Sequence, residues 1–257
     1  LIRQGACKSY IVNRIKVDFI NMKKIKLWWP KTPMPGNFGD ILSPYILKKM
    51  GYTIEEVNPD YSGKFMCIGS TAKFIRPNDV VWGTGTMRDL DPIEKNARYL
   101  AVRGPLTGAK VGCNVYGDPG LLCSHFWPLY ARSQNKRKLG VIPHYVDYNK
   151  YAVGSNYEIN ILKANPVEVM REVVKCESII SSSLHGIIVA HSYGIPAGWW
   201  KPSDKVEGDG WKFKDYAMSV DIELKPSKNY KNVVMTLPSK EKIKQIQRNL
   251  LNAIQSH

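Results

Sequence analysis

Residues 178 to 199 read Ser-Ile-Ile-Ser-Ser-Ser-Leu-His-Gly-Ile-Ile-Val-Ala-His-Ser-Tyr-Gly-Ile-Pro-Ala-Gly-Trp. The order predicts a buried strand, a serine turn ending at His185-Gly186, a helix stopped at Gly194, and a second strand. Strands separated by a helix lie parallel in one sheet, which commits the chain to an α/β layout with its loops at the carboxyl edge of the strands. An imidazole then sits at a strand end beside a helix N-terminus, where free N–H groups favour an anion. Ser181, Ser182 and Ser183 add hydroxyl donors.

The same punctuation recurs upstream. Ile25 to Trp29 is an apolar run closed by Pro30, then Gly36-Asn37-Phe38-Gly39-Asp40 leads into a helical stretch from Ile41 to Met50 stopped by Gly51. Further short strands end at Gly69-Ser70, Gly83-Thr84-Gly85, Arg103-Gly104-Pro105 and Gly117-Asp118-Pro119. Residues 131 to 138 lack apolar anchors and mark a domain boundary. A second alternation follows: Leu139 to Ile142 as a strand ending at Pro143-His144, and a helix opened by the cap Asn165, with Pro166 first and Glu168 three residues after the cap. A last helix carries Ile243, Ile246, Leu250 and Ile254 at helical spacing behind Ser239. The expectation is two Rossmann-like parallel-sheet halves facing a cleft, residues 1–132 and 133–257.

A chain of 257 residues that is 44% apolar can bury a sizeable core without covalent staples. Five scattered cysteines make neither a Cys-x-x-Cys pair nor a zinc spacing, which fits a reducing compartment. No apolar run approaches the roughly 18 residues of a membrane span, and the N-terminus lacks signal-peptide layout, so a cytoplasmic protein is expected. The excess of 37 Lys and Arg over 22 Asp and Glu, a formal charge of +15, attracts anions. Nucleic-acid signatures are absent, so the anions expected are phosphorylated or acidic substrates and, by peripheral contact, an anionic membrane face.

With parallel strands, Asn37, Asp40, Arg103, Asp118, His144 and His185 all fall just past strand ends and converge on one edge. Imidazole suits proton transfer near neutrality, and a guanidinium suits bidentate binding of carboxylate or phosphate. Asp118, before a proline, reads as a turn residue. His191, Trp199, Trp200 and Trp211 read as packing residues before anything else.

In identity and order, the Gly36 to Asp40 loop, Val102-Arg103-Gly104-Pro105-Leu106-Thr107, Gly117-Asp118-Pro119, Pro143-His144, Ser183-Leu184-His185-Gly186 and Gly194-Ile195-Pro196 resemble the polysaccharide pyruvyl transferases. The resemblance runs over roughly residues 25 to 220 and is strongest to the exopolysaccharide ketal-pyruvate branch. It implies a fold similar to two-Rossmann (GT-B-like) glycosyltransferases, phosphoenolpyruvate as donor substrate without cofactor or metal, and a hydroxyl pair on a glycan or lipid-linked saccharide as acceptor. His185 and Asp40 are the implied catalytic residues. Arg103, Ser183, Leu184 and His144 are implied on the donor, Asn37 and Asp40 on the acceptor. Other branches carry an arginine two positions before the late histidine, where this chain has Ser183. Two alternatives stay open on the residues alone: a nucleotide-sugar glycosyltransferase of the same layout, and a basic nucleic-acid or membrane-surface module.

Overall fold

The structure is a computed structural model that describes residues 23–34, 36–129, 137–148 and 157–255. Its first sheet contains β1 (Lys24–Leu27), β2 (Thr53–Glu56), β3 (Phe65–Met66), β4 (Val80–Trp82) and β5 (Arg98–Ala101), all parallel, in the order β2-β1-β3-β4-β5. The second contains β6 (Gly140–Ile142), β7 (Tyr157–Glu158), β8 (Ile179–Ser181) and β9 (Ala197–Trp199), also parallel, in the order β7-β6-β8-β9. The expected α/β class with two parallel sheets is therefore what the chain forms. The boundary expected near residues 131–138 lies almost entirely outside the described residues, as does everything before Lys23.

Local chemistry sets the helices. In α1 (Phe38–Lys49), Asp40 in the first turn and Lys48 and Lys49 in the last complement the helix dipole. Pro105 opens α2 (Pro105–Val111), and Gly112 closes it in the left-handed conformation at φ 70°. Asn165 caps α4 (Pro166–Val173) by accepting the Val167 N–H at 3.0 Å, as its spacing predicts. All nine residues of α5 (Leu184–Ser192) are buried. A short α3 (Cys123–Phe126) and a longer α6 (Trp211–Ser219) precede α7 (Lys240–Gln255), whose buried stripe is Ile243, Ile246, Leu250 and Ile254. Ser239 accepts the Lys242 N–H at its start.

Three elements escape the sequence pattern. The edge strand β2 reads Thr-Ile-Glu-Glu and is nowhere fully buried, β7 is two residues long, and α6 buries Lys212 and Asp215, which hides its periodicity. Conversely, Val115-Tyr116 makes only an isolated bridge, Val102 to Tyr116.

One contiguous core joins the sheets: Phe38, Leu42 and Ile46 share it with Ile161, Val169, Leu184, Ile188 and Leu250. The last helix follows the second sheet in sequence yet packs on the first. Trp82 Nε1 donates to the Leu250 carbonyl at 2.9 Å, and a Cβ on Gly117 would lie 2.5 Å from Ile246. Among the described residues no helix is long and apolar enough to cross a membrane, and Cys67, Cys113, Cys123 and Cys176 are free thiols.

Candidate active site

Each sheet has one place where the strand order reverses. In the first it lies between β1 and β3, in the second between β6 and β8. Crevices at the carboxyl ends of such neighbouring strands are where open α/β sheets bind ligands. The segments leaving β1 and β3 carry Asn37, Asp40 and Gly69, and a Cβ on Gly69 would stand 3.0 Å from Asp40 Oδ1. The segments leaving β6 and β8 carry His144 and His185, tied together because Ser182 Oγ accepts the His144 N–H at 2.7 Å.

These two points touch. Gly39 sits in the first turn of α1, and a Cβ there would fall 2.0 Å from His185 Nδ1 and 2.3 Å from its Cγ. In the sequence Gly39 falls in the Gly36 to Asp40 loop that leads into the helical stretch, where a glycine would serve the loop's conformation. The fold corrects this: residue 39 is helical, and glycine is required because an imidazole from the other half lies against its backbone.

His185 is 6% exposed, with Nε2 3.4 Å from Asp118 Oδ2, an ion-pair distance at which neither atom completes a hydrogen bond. The other Asp118 oxygen caps the following turn by accepting the Gly120 N–H at 2.8 Å. Asp118 thus holds both the turn that its sequence announces and a carboxylate beside the imidazole edge opposite Gly39. Asp40 accepts from Asn37 Nδ2 at 3.0 Å. Burial pushes its carboxyl above the ordinary range, opposed by the Asn37 hydrogen bond and by the charges of His185 and Lys212. A carboxyl so placed keeps its proton to higher pH than an exposed one.

His144 is driven the other way. Burial, with Lys212 and His185 nearby, lowers it to about 3, so its imidazole is neutral. Its Nδ1 faces the Val146 N–H at 3.4 Å, which leaves Nε2 as the protonated nitrogen, a hydrogen-bond donor without charge. The Tyr145 ring packs tilted against it, with ring centroids 4.3 Å apart and planes at 35°.

Lys212 is the residue that sequence reasoning missed. It is 7% exposed on α6, and its field reaches both Asp40 and His144. Burial and the neighbouring Arg103 lower its ammonium to about 8. The surrounding Trp-Lys-Phe-Lys-Asp run looks like a solvated helix face, and no motif in the chain singled Lys212 out.

Arg103 does not reach this cluster as a free clamp. It is completely buried: Nε donates to Asp215 Oδ2 at 3.1 Å, Nη1 to Ser70 Oγ at 2.6 Å and Nη2 to the Thr86 carbonyl at 2.5 Å. Asp215 also accepts the N–H groups of Leu106 and Thr107, so the pair fastens α6 to the start of α2. Arg103 is thus tied into the junction of α2 and α6, and its charge acts on Lys212. Ser183 is the extended residue before α5, its N–H bound by Ser181 Oγ at 3.0 Å, and the Leu184 side chain belongs to the core. What these two positions offer a ligand is the opening of α5, whose first N–H groups have no partner within the helix. Asn37, Asp40, His144 and His185 are thus brought to one place, Asp118 and Lys212 join it, and Arg103 is held by Asp215, Ser70 and Thr86 with its charge acting on Lys212.

A family model described as polysaccharide pyruvyl transferase matches residues 38–199. The chain belongs to the polysaccharide pyruvyl transferase family. Within this pyruvyl transferase match lie Gly39, Asp40, Arg103, Asp118, His144 and His185; Asn37 falls one residue before it and Lys212 beyond it. The chain is similar to an uncharacterized protein, L143, of Acanthamoeba polyphaga mimivirus, 32% identical over 76% of this chain and 74% of the relative. It is also similar to the succinoglycan biosynthesis protein ExoV of Rhizobium meliloti, 27% identical over 74% of this chain and 64% of ExoV. No solved structure matches it.

Proposed function

We propose that the chain transfers the pyruvyl group of phosphoenolpyruvate to two hydroxyls of a glycan or lipid-linked saccharide, forming a pyruvate ketal in a cleft of two-Rossmann type. In that reaction C3 of the enol gains a proton, one acceptor hydroxyl adds to C2, phosphate departs, and the second hydroxyl closes the ring. Of the two hydroxyl protons lost, one balances the new methyl group and the other leaves on phosphate. Family membership and the relationship to ExoV support a pyruvyl transferase acting on a polysaccharide.

The observation that carries the finer reading is the convergence of His185, Asp40, His144 and Lys212 at the two switch points. Lys212, with the N–H groups opening α5, supplies positive charge for a trianionic donor where the other branches' arginine is replaced by Ser183. Neutral His144 donates a hydrogen bond without adding a charge. His185 exchanges the proton at C3, its ring fixed by Asp118 on one edge and Gly39 on the other. Asp40, with its raised carboxyl and its Asn37 partner, takes the acceptor hydroxyl proton. The basic field of the chain draws in the donor and favours an anionic membrane face for a lipid-linked acceptor.

Thermal denaturation with phosphoenolpyruvate, set against a panel of nucleotide sugars, tests this. A donor at about 100 times its Kd adds about 2.7 kcal/mol. Stabilisation by phosphoenolpyruvate alone is expected. Stabilisation by a nucleotide sugar with none by phosphoenolpyruvate would replace the reading with glycosyl transfer.

A further inference from the structure

A cavity of about 740 Å³ lies on the flank of α6, lined by Trp199, Trp211, Met218, Asp89, Asp209 and Glu223 among others, and includes none of Asp40, His144, His185 or Lys212. Its volume falls in the range of small-molecule sites. Both indoles are held rigidly. Trp199 stacks on Phe213 with ring centroids 4.1 Å apart and planes 7° from parallel, and a Cβ on Gly210 would come within 2.7 Å of its ring. Trp211 Nε1 donates to Thr86 Oγ1 at 2.8 Å. The loop between them is held in an unusual backbone: Gly208, Asp209 and Gly210 all have positive φ, at 104°, 46° and 84°.

The charges at this cavity are largely matched to one another. Its lining carries two cations, Arg88 and Lys214, and three carboxylates, Asp89, Asp209 and Glu223. Arg88 is paired with Glu207 at 3.2 Å, Asp89 with Lys110 at 3.4 Å and Glu223 with Lys225 at 3.2 Å. Phosphate and anionic headgroups are disfavoured in such a place. Trp199 is buried as the floor, while the Trp211 indole is partly exposed, and with carboxylate acceptors around it suits a neutral polyol, whose C–H face packs on the ring while its hydroxyls donate to the carboxylates.

The cavity also shares a helix with the reacting cluster. Trp211 immediately precedes Lys212 on α6, and Glu207, the partner of Arg88, acts electrostatically on both Lys212 and Tyr145. We infer that this cavity is a saccharide subsite that holds the acceptor glycan beyond its two reacting hydroxyls, an inference that rests on the pyruvyl transfer proposed above. Polymer specificity then resides on α6, away from the proton-transfer groups.

The test uses the intact chain and a printed array of neutral bacterial oligosaccharides, followed by calorimetry with the strongest binder. Met218→Trp fills the mouth at a side chain that is 42% exposed, and Glu223→Lys reverses a rim charge. Each is expected to weaken that oligosaccharide at least ~10-fold, while stabilisation by phosphoenolpyruvate persists in the same samples. Wild-type affinity in both variants, or no binder on the array, overturns the subsite. So does Met218-dependent binding of phosphatidylglycerol vesicles in place of oligosaccharide, which would assign the cavity to lipid. Saccharide binding lost in both variants, with no phosphoenolpyruvate effect even in wild type, would keep the subsite and sink the donor.

Discussion

Replacing Gly39 with alanine separates the placement of His185 from the presence of His185. Ordinary contacts to a Cβ begin near 3.4 Å, and the new methyl would stand 2.0 Å from Nδ1, so the imidazole must retreat by about 1.4 Å. Because the neighbouring contacts at 2.3 and 2.5 Å are atoms of the same ring, rotation about one bond does not relieve them all. A misplacement of about 1 Å costs on the order of 10²-fold in rate when a proton must move along a fixed line. The folding cost is small by comparison. Overpacking of a buried contact costs roughly 1–3 kcal/mol, and alanine returns roughly 0.5–1 kcal/mol to a helical position. Gly39→Ala should therefore fold with a melting temperature a few degrees from wild type and release phosphate from phosphoenolpyruvate at least ~10² times more slowly in the presence of acceptor. Wild-type turnover by a folded Gly39→Ala protein would refute the assignment, since the ring would have moved without consequence.

Other predictions concern the groups around that ring. His185→Ala should lower turnover by at least ~10² while leaving the melting curve close to wild type; normal phosphate release would hand the proton transfer to another residue. Asp118→Asn keeps the Oδ1 that caps Gly120 but removes the charge beside Nε2, so kcat should fall, with KM for phosphoenolpyruvate little changed; wild-type kcat would reduce Asp118 to a turn residue. Lys212 carries its charge below about pH 8 and loses it above, so affinity for phosphoenolpyruvate should be flat on the acid side and weaken as pH rises through 8. Lys212→Met should bind weakly throughout and lose that dependence, and calorimetry across the range checks both. Arg103→Ala should act on stability, because it leaves Asp215 buried without its cation at a cost of about 3–5 kcal/mol; denaturant titration showing wild-type stability with selectively weakened donor binding would restore Arg103 as a clamp.

Much of this arrangement was legible in the residues, for reasons of period and punctuation. The Asn165 cap, the Ser239 cap and the α7 stripe are encoded within one helical turn of the residues that form them. Strands β4 and β8 are short apolar runs bounded by turn residues, and the histidines fall at strand ends because the parallel layout requires it. What could not be read is what depends on the other half of the chain. Gly39 looks like a loop residue until His185 is known to lie on it. Arg103 looks like an anion clamp until Asp215, 112 positions away, is seen to accept its Nε–H. Lys212 and Asp215 are charged positions on a short helix, and only tertiary packing buries them. Asp118 was legible as a cap and illegible as the neighbour of an imidazole.

The junction residues explain how a site built from two sheets keeps its geometry. Proton transfer needs its partners fixed to a few tenths of an ångström, yet Asp40 and His185 are 145 positions apart, on helices that follow strands of different sheets. Of the ties that cross between the halves near them, three bear on this. Phe38 donates its N–H to the Ile161 carbonyl at 3.2 Å, fixing the start of α1 against the second half. Ser192 at the end of α5 donates to the Leu121 carbonyl at 2.9 Å and accepts the Ser124 N–H at 2.9 Å. Arg103 and Asp215 hold α6, and with it Lys212, against the first sheet. The first two ties anchor the two helices that carry Asp40 and His185, one at its N-terminus and the other at its far end. Because each is a buried hydrogen bond rather than a surface contact, loosening any of them leaves an unsatisfied polar group at a cost of about 1–3 kcal/mol. A Ser192→Ala chain tests this coupling. Its hydroxyl touches no reacting group, so its loss should lower turnover only through the tilt of α5, raising hydrogen exchange at Ser124 and along α5 together with the fall in rate. A loss of rate without that change in exchange would show that the tie does not position His185.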